Sequence, residues 1–242
     1  VRSRGAVGHH RHVDFMALAE RIVTERFPSA LAAVLAGSIA RGQGNAFSDV
    51  DIVVLLDGPP APYRETVRVD AWPVELFVHT DESVSYWFGV ERAKGSCTLA
   101  HMLATGLALG GPEVERVQER ARTHLAEGPP AWTGEAIEYQ RYLLSDGLDD
   151  LAGARDPNER DAVAALLLAG AAALRLALAR HWQGTGKWQY RRLRDCDPEL
   201  ADRLYDGHRQ VVSGGDHTDF VMAVDAVLAP LGGRLTDGFS VR

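Results

Sequence analysis

Three carboxylates and a Gly-Ser pair are the residues of this chain whose types and spacing suit chemistry. Asp49 and Asp51 stand two apart within an apolar run formed by Val50 and Ile52–Leu56, so an extended backbone turns both to one face. Gly37 closes a second apolar run, Ala30–Ala36, and Ser38 follows it. A glycine at a strand end lets the backbone approach a ligand closely. A hydroxyl and free N–H groups at the start of a helical turn suit a phosphate, and Ser38 is expected to cap that turn. Paired carboxylates on the neighbouring strand suit a hard divalent cation. An Asp-x-Asp alone would mean little, because alternating acids often mark a solvated strand side. Here the flanking residues are too apolar for an ordinary exposed strand.

These groups need two buried strands joined by a short helical turn and a polar loop. Around them the pattern predicts a helix from Val13 to Phe27, with Phe15, Leu18, Ile22 and Val23 at helical spacing and Pro28 ending it. A breaker-rich turn at Asp57–Pro62 precedes a hairpin of Arg64–Asp70 and Val74–His79, joined around Ala71-Trp72-Pro73. In the second arm Glu75 and Phe77 oppose Val74, Leu76 and Val78. Glu75 is therefore a carboxylate among apolar neighbours, and such groups are rare unless paired or bound to metal. A solvated edge strand is the other reading.

Beyond Thr80 the pattern is helical almost to the end. Asp81 is expected to cap a helix reaching Lys94, Ser96–Leu107 reads as another closed by Gly110-Gly111-Pro112, and Glu113–Leu125 as a third. Gly128-Pro129-Pro130 is the best linker, followed by helices near 134–153, 158–182, 197–212 and 217–229. The expected architecture is an α/β domain over 1–127, a mixed sheet with flanking helices, then an all-α up-and-down bundle over 128–242. On the helix of 135–153, Asp146 and Asp150 share a face four residues apart. Like charges at that spacing weaken an isolated helix, which invites a functional reason; a solvated acidic face is the alternative.

Composition narrows the class. With 242 residues and 46% apolar content, disorder is excluded. The balance of 26 Lys+Arg against 33 Asp+Glu, net −7, disfavours general nucleic-acid binding and anionic membrane surfaces and suits a cationic small molecule. Cys97 and Cys196 have no metal-ligand spacing and no disulfide framework, so cytoplasm is the expected compartment. Val1-Arg2-Ser3-Arg4 is followed by no apolar stretch, so no signal peptide is expected. The apolar run 162–179 is broken by Gly170 and Arg175 and reads as a buried bundle helix rather than a membrane span. His9, His10 and His12 read as a solvated tail. Gly184-Thr185-Gly186-Lys187 fails the phosphate-loop template at His181 and Trp188, so Gly184 reads as a helix stop. Lys187, Arg191, Arg192 and Arg194 read as a solvated basic face, with neutralisation of a polyphosphate as the other reading.

Gly37-Ser38, ten residues, then Asp49-Val50-Asp51 in an apolar strand resembles the nucleotidyltransferase superfamily signature. The resemblance implies that Glu75, on a later strand, completes a carboxylate trio holding one or two Mg²⁺ ions with Asp49 and Asp51. It also implies that Gly37 and Ser38 hold a nucleoside triphosphate, with Arg41 as charge partner. Val74-Glu75-Leu76-Phe77 and Asp150-Leu151-Ala152-Gly153 further resemble the aminoglycoside nucleotidyltransferases that modify kanamycin. That likeness implies Asp150 as the base that deprotonates the acceptor hydroxyl and Asp146 as an acceptor-binding acid. It departs at Ala154, where the family has Lys. A homodimer and a role in antibiotic resistance are implied as well. A rival reading is an antitoxin-like nucleotidyltransferase that binds or modifies a partner protein; length and the Asp146/Asp150 pair oppose it. A scaffold without catalysis is disfavoured because all three carboxylates are present.

Overall fold

The computed structural model describes residues 14–240, so the histidines at 9, 10 and 12 lie outside the described residues. The chain divides into two compact units, residues up to 90 together with 98–127, and residues 91–97 together with 128 onward.

The first unit is a five-stranded mixed sheet with helices. Helix α1 (Phe15–Arg26) starts at Asp14, whose side chain accepts from the N–H groups of Met16 and Ala17. Strand β1 (Ala32–Ala36) leads into a single helical turn, α2 (Gly37–Ala40), and a loop to β2 (Val50–Leu55). β3 (Tyr63–Val69) and β4 (Trp72–His79) form the expected hairpin, with a tighter turn than the sequence suggests. It is made by Asp70 and Ala71, at φ 48° and 71°, while Trp72 and Pro73 already belong to the strand. The sheet order is β3-β4-β2-β1-β5, with β2 parallel to β4 and every other pair antiparallel. Val50, Ile52, Val54, Val74, Leu76 and Val78 turn to one face and pack with Leu18, Ala19 and Ile22 of α1. Burial of each such branched side chain contributes about 1.5–3 kcal/mol. The period of two therefore sends Asp51 and Glu75 to the opposite face.

Two expectations are corrected in this unit. The segment read as one helix over 96–107 is α4 (Thr98–Thr105) followed by β5 (Leu107–Gly110), an edge strand on β1. Between them Gly106 lies so close to β1 that a Cβ would overlap Val34 and approach Leu35 O at 2.7 Å. Four apolar residues after a helix look like its continuation; only contact with β1 makes them a strand. The second correction concerns α3 (Asp81–Ala93). Its start is a reciprocal Thr80/Ser83 pair, Ser83 N–H to Thr80 Oγ1 at 3.1 Å and Thr80 N–H to Ser83 Oγ at 2.9 Å. Asp81 instead binds Arg116 and Arg120 of α5 (Val114–Glu127).

The second unit is helical: α6 (Gly134–Gly153), α7 (Pro157–Leu178), α8 (Lys187–Cys196), α9 (Pro198–Val212) and α10 (Thr218–Leu228). Gly147 faces Leu167 and Gly170 faces Leu144, so α6 and α7 run antiparallel. Leu144, Leu148, Leu174, Leu204, Phe220 and Leu228 are fully buried in the shared core. α7 is long and apolar enough to cross a membrane by length and composition, and 39% of its most apolar stretch is buried. Within the bundle α7 buries one side: Ala164, Leu167, Ala171 and Leu174 face the core while Ala165 and Leu166 are exposed. α8 is absent from the sequence reading, because a ten-residue helix burying only Leu193 holds few apolar residues among its charged ones.

Candidate active site

The carboxylate cluster is assembled by strand register. Asp51 pairs with Ala36 across the antiparallel β1–β2 ladder and with Glu75 across the parallel β2–β4 ladder. Asp49 lies two residues before Asp51, just ahead of β2, in the same phase. One ligand oxygen from each of Asp49, Asp51 and Glu75 lies within 4.8 Å of the others, and all three residues are half-buried. Oxygen donors alone, at that spacing, form a set for a hard divalent cation.

Gly37 is part of this packing. Its φ is 73°, and a Cβ there would overlap the Oδ2 atom of Asp51. The glycine is thus required first by the carboxylate beside it, a constraint additional to any approach by a ligand. Burial pushes the Asp51 carboxyl up from its ordinary 3.8 to about 7, with repulsion from Asp49 and Glu75 adding to the rise and Arg64 and Arg41 opposing it. A carboxylate held this way gains from any positive charge placed between the three acids.

The loop before β2 is stitched by short hydrogen bonds. Ser38 Oγ donates to Ser48 Oγ at 3.1 Å, and Ser48 Oγ accepts from Asn45 N–H at 2.9 Å. Ser38 therefore sits inside the turn and is not its cap: α2 has no side-chain cap, and the capping position is Ala36. Arg41 follows that turn, close enough for its charge to act on Asp51. Two residues bordering the cluster escaped the sequence reading. Ser48 adjoins Asp49, which was a usable signal. Arg64 donates from Nη2 to Glu75 Oε2 at 2.7 Å, a pairing that needs the β3–β4 register and is invisible in the linear chain.

Asp146 and Asp150 belong to the helical unit and are exposed on α6, as is Asp149. Asp150, Asp149 and Glu159 line a depression of about 540 Å³ with Gly153, Ala162 and Val163; Asp146 is not part of that lining. Asp149 is 3.7 Å from Arg234, which also binds Asp225 at 2.8 Å. The basic residues of α8 are drawn to their own aromatics. Arg191 and Arg192 lie 5.0 and 5.4 Å from the Trp188 ring, and Arg192 also contacts Cys97 Sγ at 3.1 Å.

Comparison with known proteins points to the same segment. Residues 17–91 match the family model of the nucleotidyltransferase domain. A solved structure of similar form is the nucleotidyltransferase-like protein from Exiguobacterium sibiricum, 12% identical, with 89% of this chain and 75% of that one covered at a TM-score of 0.44. No curated protein matches the chain. The matched segment runs from α1 through most of α3 and contains the Gly37 turn, both aspartates and Glu75. Residues 17–91 of this chain thus match a nucleotidyltransferase domain, and nucleotidyl transfer from a nucleoside triphosphate is the class of chemistry that such a domain supports.

Proposed function

We propose that the protein transfers a nucleoside monophosphate from a nucleoside triphosphate to a hydroxyl of a small cationic acceptor, an aminoglycoside-like antibiotic first, releasing pyrophosphate. The observation that carries this reading is the convergence of Asp49, Asp51 and Glu75 within 4.8 Å beside the Gly37 turn, inside the matched domain. The three acids fit Mg²⁺: they offer oxygen ligands only, and their crowding leaves Asp51 short of positive charge. When bound, the metal supplies charge neutralisation for the triphosphate and for the departing pyrophosphate.

The chain's own groups divide the remaining work. Backbone N–H groups at the Gly37 turn and the Ser38 hydroxyl hold the terminal phosphates, and Arg41 adds positive charge. Asp150 accepts the proton of the acceptor hydroxyl as its oxygen bonds to the α-phosphorus and the bond to the pyrophosphate oxygen breaks. Asp146, with the acids lining the neighbouring depression, draws in a cationic acceptor.

The test is incubation of the protein with Mg²⁺, each of four nucleoside triphosphates and a panel of aminoglycosides, read by mass spectrometry. The expected product is an acceptor heavier by one nucleoside monophosphate. Absence of any adduct, together with no pyrophosphate release from any triphosphate, would overturn the proposal.

A further inference from the structure

Arg64 stands at the border of the carboxylate cluster, and nothing in the transfer reaction described above uses it. On β3 it lies opposite Phe77 of β4, with Glu75 diagonal to it on the same face. Its Nη2 donates to Glu75 Oε2 at 2.7 Å while its guanidinium carbon lies 4.7 Å from the centroid of the Phe77 ring. The aromatic face fixes the plane of the guanidinium and leaves it at the water-exposed edge of the site: the Arg64 side chain is 61% exposed and that of Glu75 only 20%. Glu75 is thus claimed twice, by this arginine and by the three-carboxylate array.

We propose that Arg64 exchanges partners: it holds Glu75 in the metal-free protein and passes to a phosphate oxygen of the incoming nucleotide once a divalent cation takes Glu75. The inference rests on the nucleotidyl-transfer reading. Two positive groups on one half-buried carboxylate repel each other, so the cation and the arginine compete for it. A guanidinium carries five donors in a planar fork suited to phosphate oxygens, and a short swing about its aliphatic stem needs no backbone change. Arg64 would therefore keep the bare site a weak metal binder and make metal and nucleotide bind together.

The experiment is isothermal titration of the full chain with Mn²⁺ alone, then with a non-hydrolysable triphosphate analogue in saturating Mn²⁺. Arg64→Gln is expected to bind Mn²⁺ alone about three- to tenfold more tightly, the worth of one nearby positive charge in water-like surroundings. The same variant should bind the analogue about tenfold or more weakly, the loss of a charge-assisted hydrogen bond. The opposite signs are the signature, because an arginine that merely braced the hairpin would weaken both. Arg64→Lys keeps the charge without the fork, so it should match the parent for Mn²⁺ within about twofold yet remain weaker for the analogue. It carries the test if Arg64→Gln fails to fold. Changes of the same sign, or no change in Mn²⁺ affinity for Arg64→Gln, overturn the proposal. Asp49→Asn is the control. If it abolishes Mn²⁺ binding while the arginine variants behave otherwise than stated, the Arg64 role alone fails; if neither the parent nor Arg64→Gln binds Mn²⁺, the metal-site reading fails and this role with it.

Discussion

Replacing Asp51 by Asn should stabilise the metal-free protein while removing its response to divalent cations. The Asp51 carboxyl titrates near 3.8 in an unfolded chain and at about 7 in the folded one, because burial and then the charges of Asp49 and Glu75 disfavour its ionised form. A folded state that holds its proton longer than the unfolded state loses stability as pH rises. The contribution is complete below about pH 4, declines between about 4 and 7, and is flat above. At about 1.4 kcal/mol per pH unit that window amounts to roughly 4 kcal/mol, and the partial exposure of the side chain to water trims it to about 2–3 kcal/mol. Asn has the same shape and no charge, so Asp51→Asn should be about 2–3 kcal/mol more stable than the parent at pH 8 and equal to it near pH 4. Urea unfolding in EDTA, followed by far-UV circular dichroism at both pH values, measures this, with the transition of the sheet unit read separately from that of the helical unit. Added Mg²⁺ should raise the melting temperature of the parent and leave Asp51→Asn unmoved. A variant no more stable than the parent at pH 8 in EDTA would refute the reasoning that three crowded acids strain this site until a cation arrives.

The remaining predictions follow the same geometry. Gly37→Ala places a Cβ on the Asp51 carboxylate at a positive φ, so Mn²⁺ affinity should fall at least tenfold with a stability loss of about 1–3 kcal/mol; parental Mn²⁺ affinity in a folded variant would refute it. Ala71→Gly should stabilise the sheet unit by about 0.5–1 kcal/mol in a thermal melt, because Ala71 sits at φ 71° in a two-residue hairpin turn. Asp150→Asn should lower turnover about 10²–10⁴-fold with little change in nucleotide affinity, whereas Asp146→Asn should raise the acceptor KM; full turnover in Asp150→Asn moves the base elsewhere, with Asp149 next.

Much of the site was legible in the chain because strand phase is a local property. Asp49 and Asp51 two apart, Glu75 out of phase with Val74 and Leu76, and a glycine ending an apolar run all follow from a period of two, which a linear reading captures. The helices α1, α6, α9 and α10 were likewise evident, and their ends differ from expectation only by a few residues. What the chain by itself did not determine depends on partners distant in sequence. β5 is a strand because Gly106 lets it lie on β1, α8 is a helix with one buried residue, and Asp81 is a salt-bridge partner of α5 rather than a cap. Within the site, sequence supplied the residue types, while the parallel β2–β4 register set Asp51 beside Glu75. Register also set Arg64 on Glu75, and packing pressed Gly37 against Asp51. Burial of Asp51 comes first and the charges of Asp49 and Glu75 second in raising its carboxyl, and both burial and the approach of Glu75 exist only once tertiary structure has brought distant strands together.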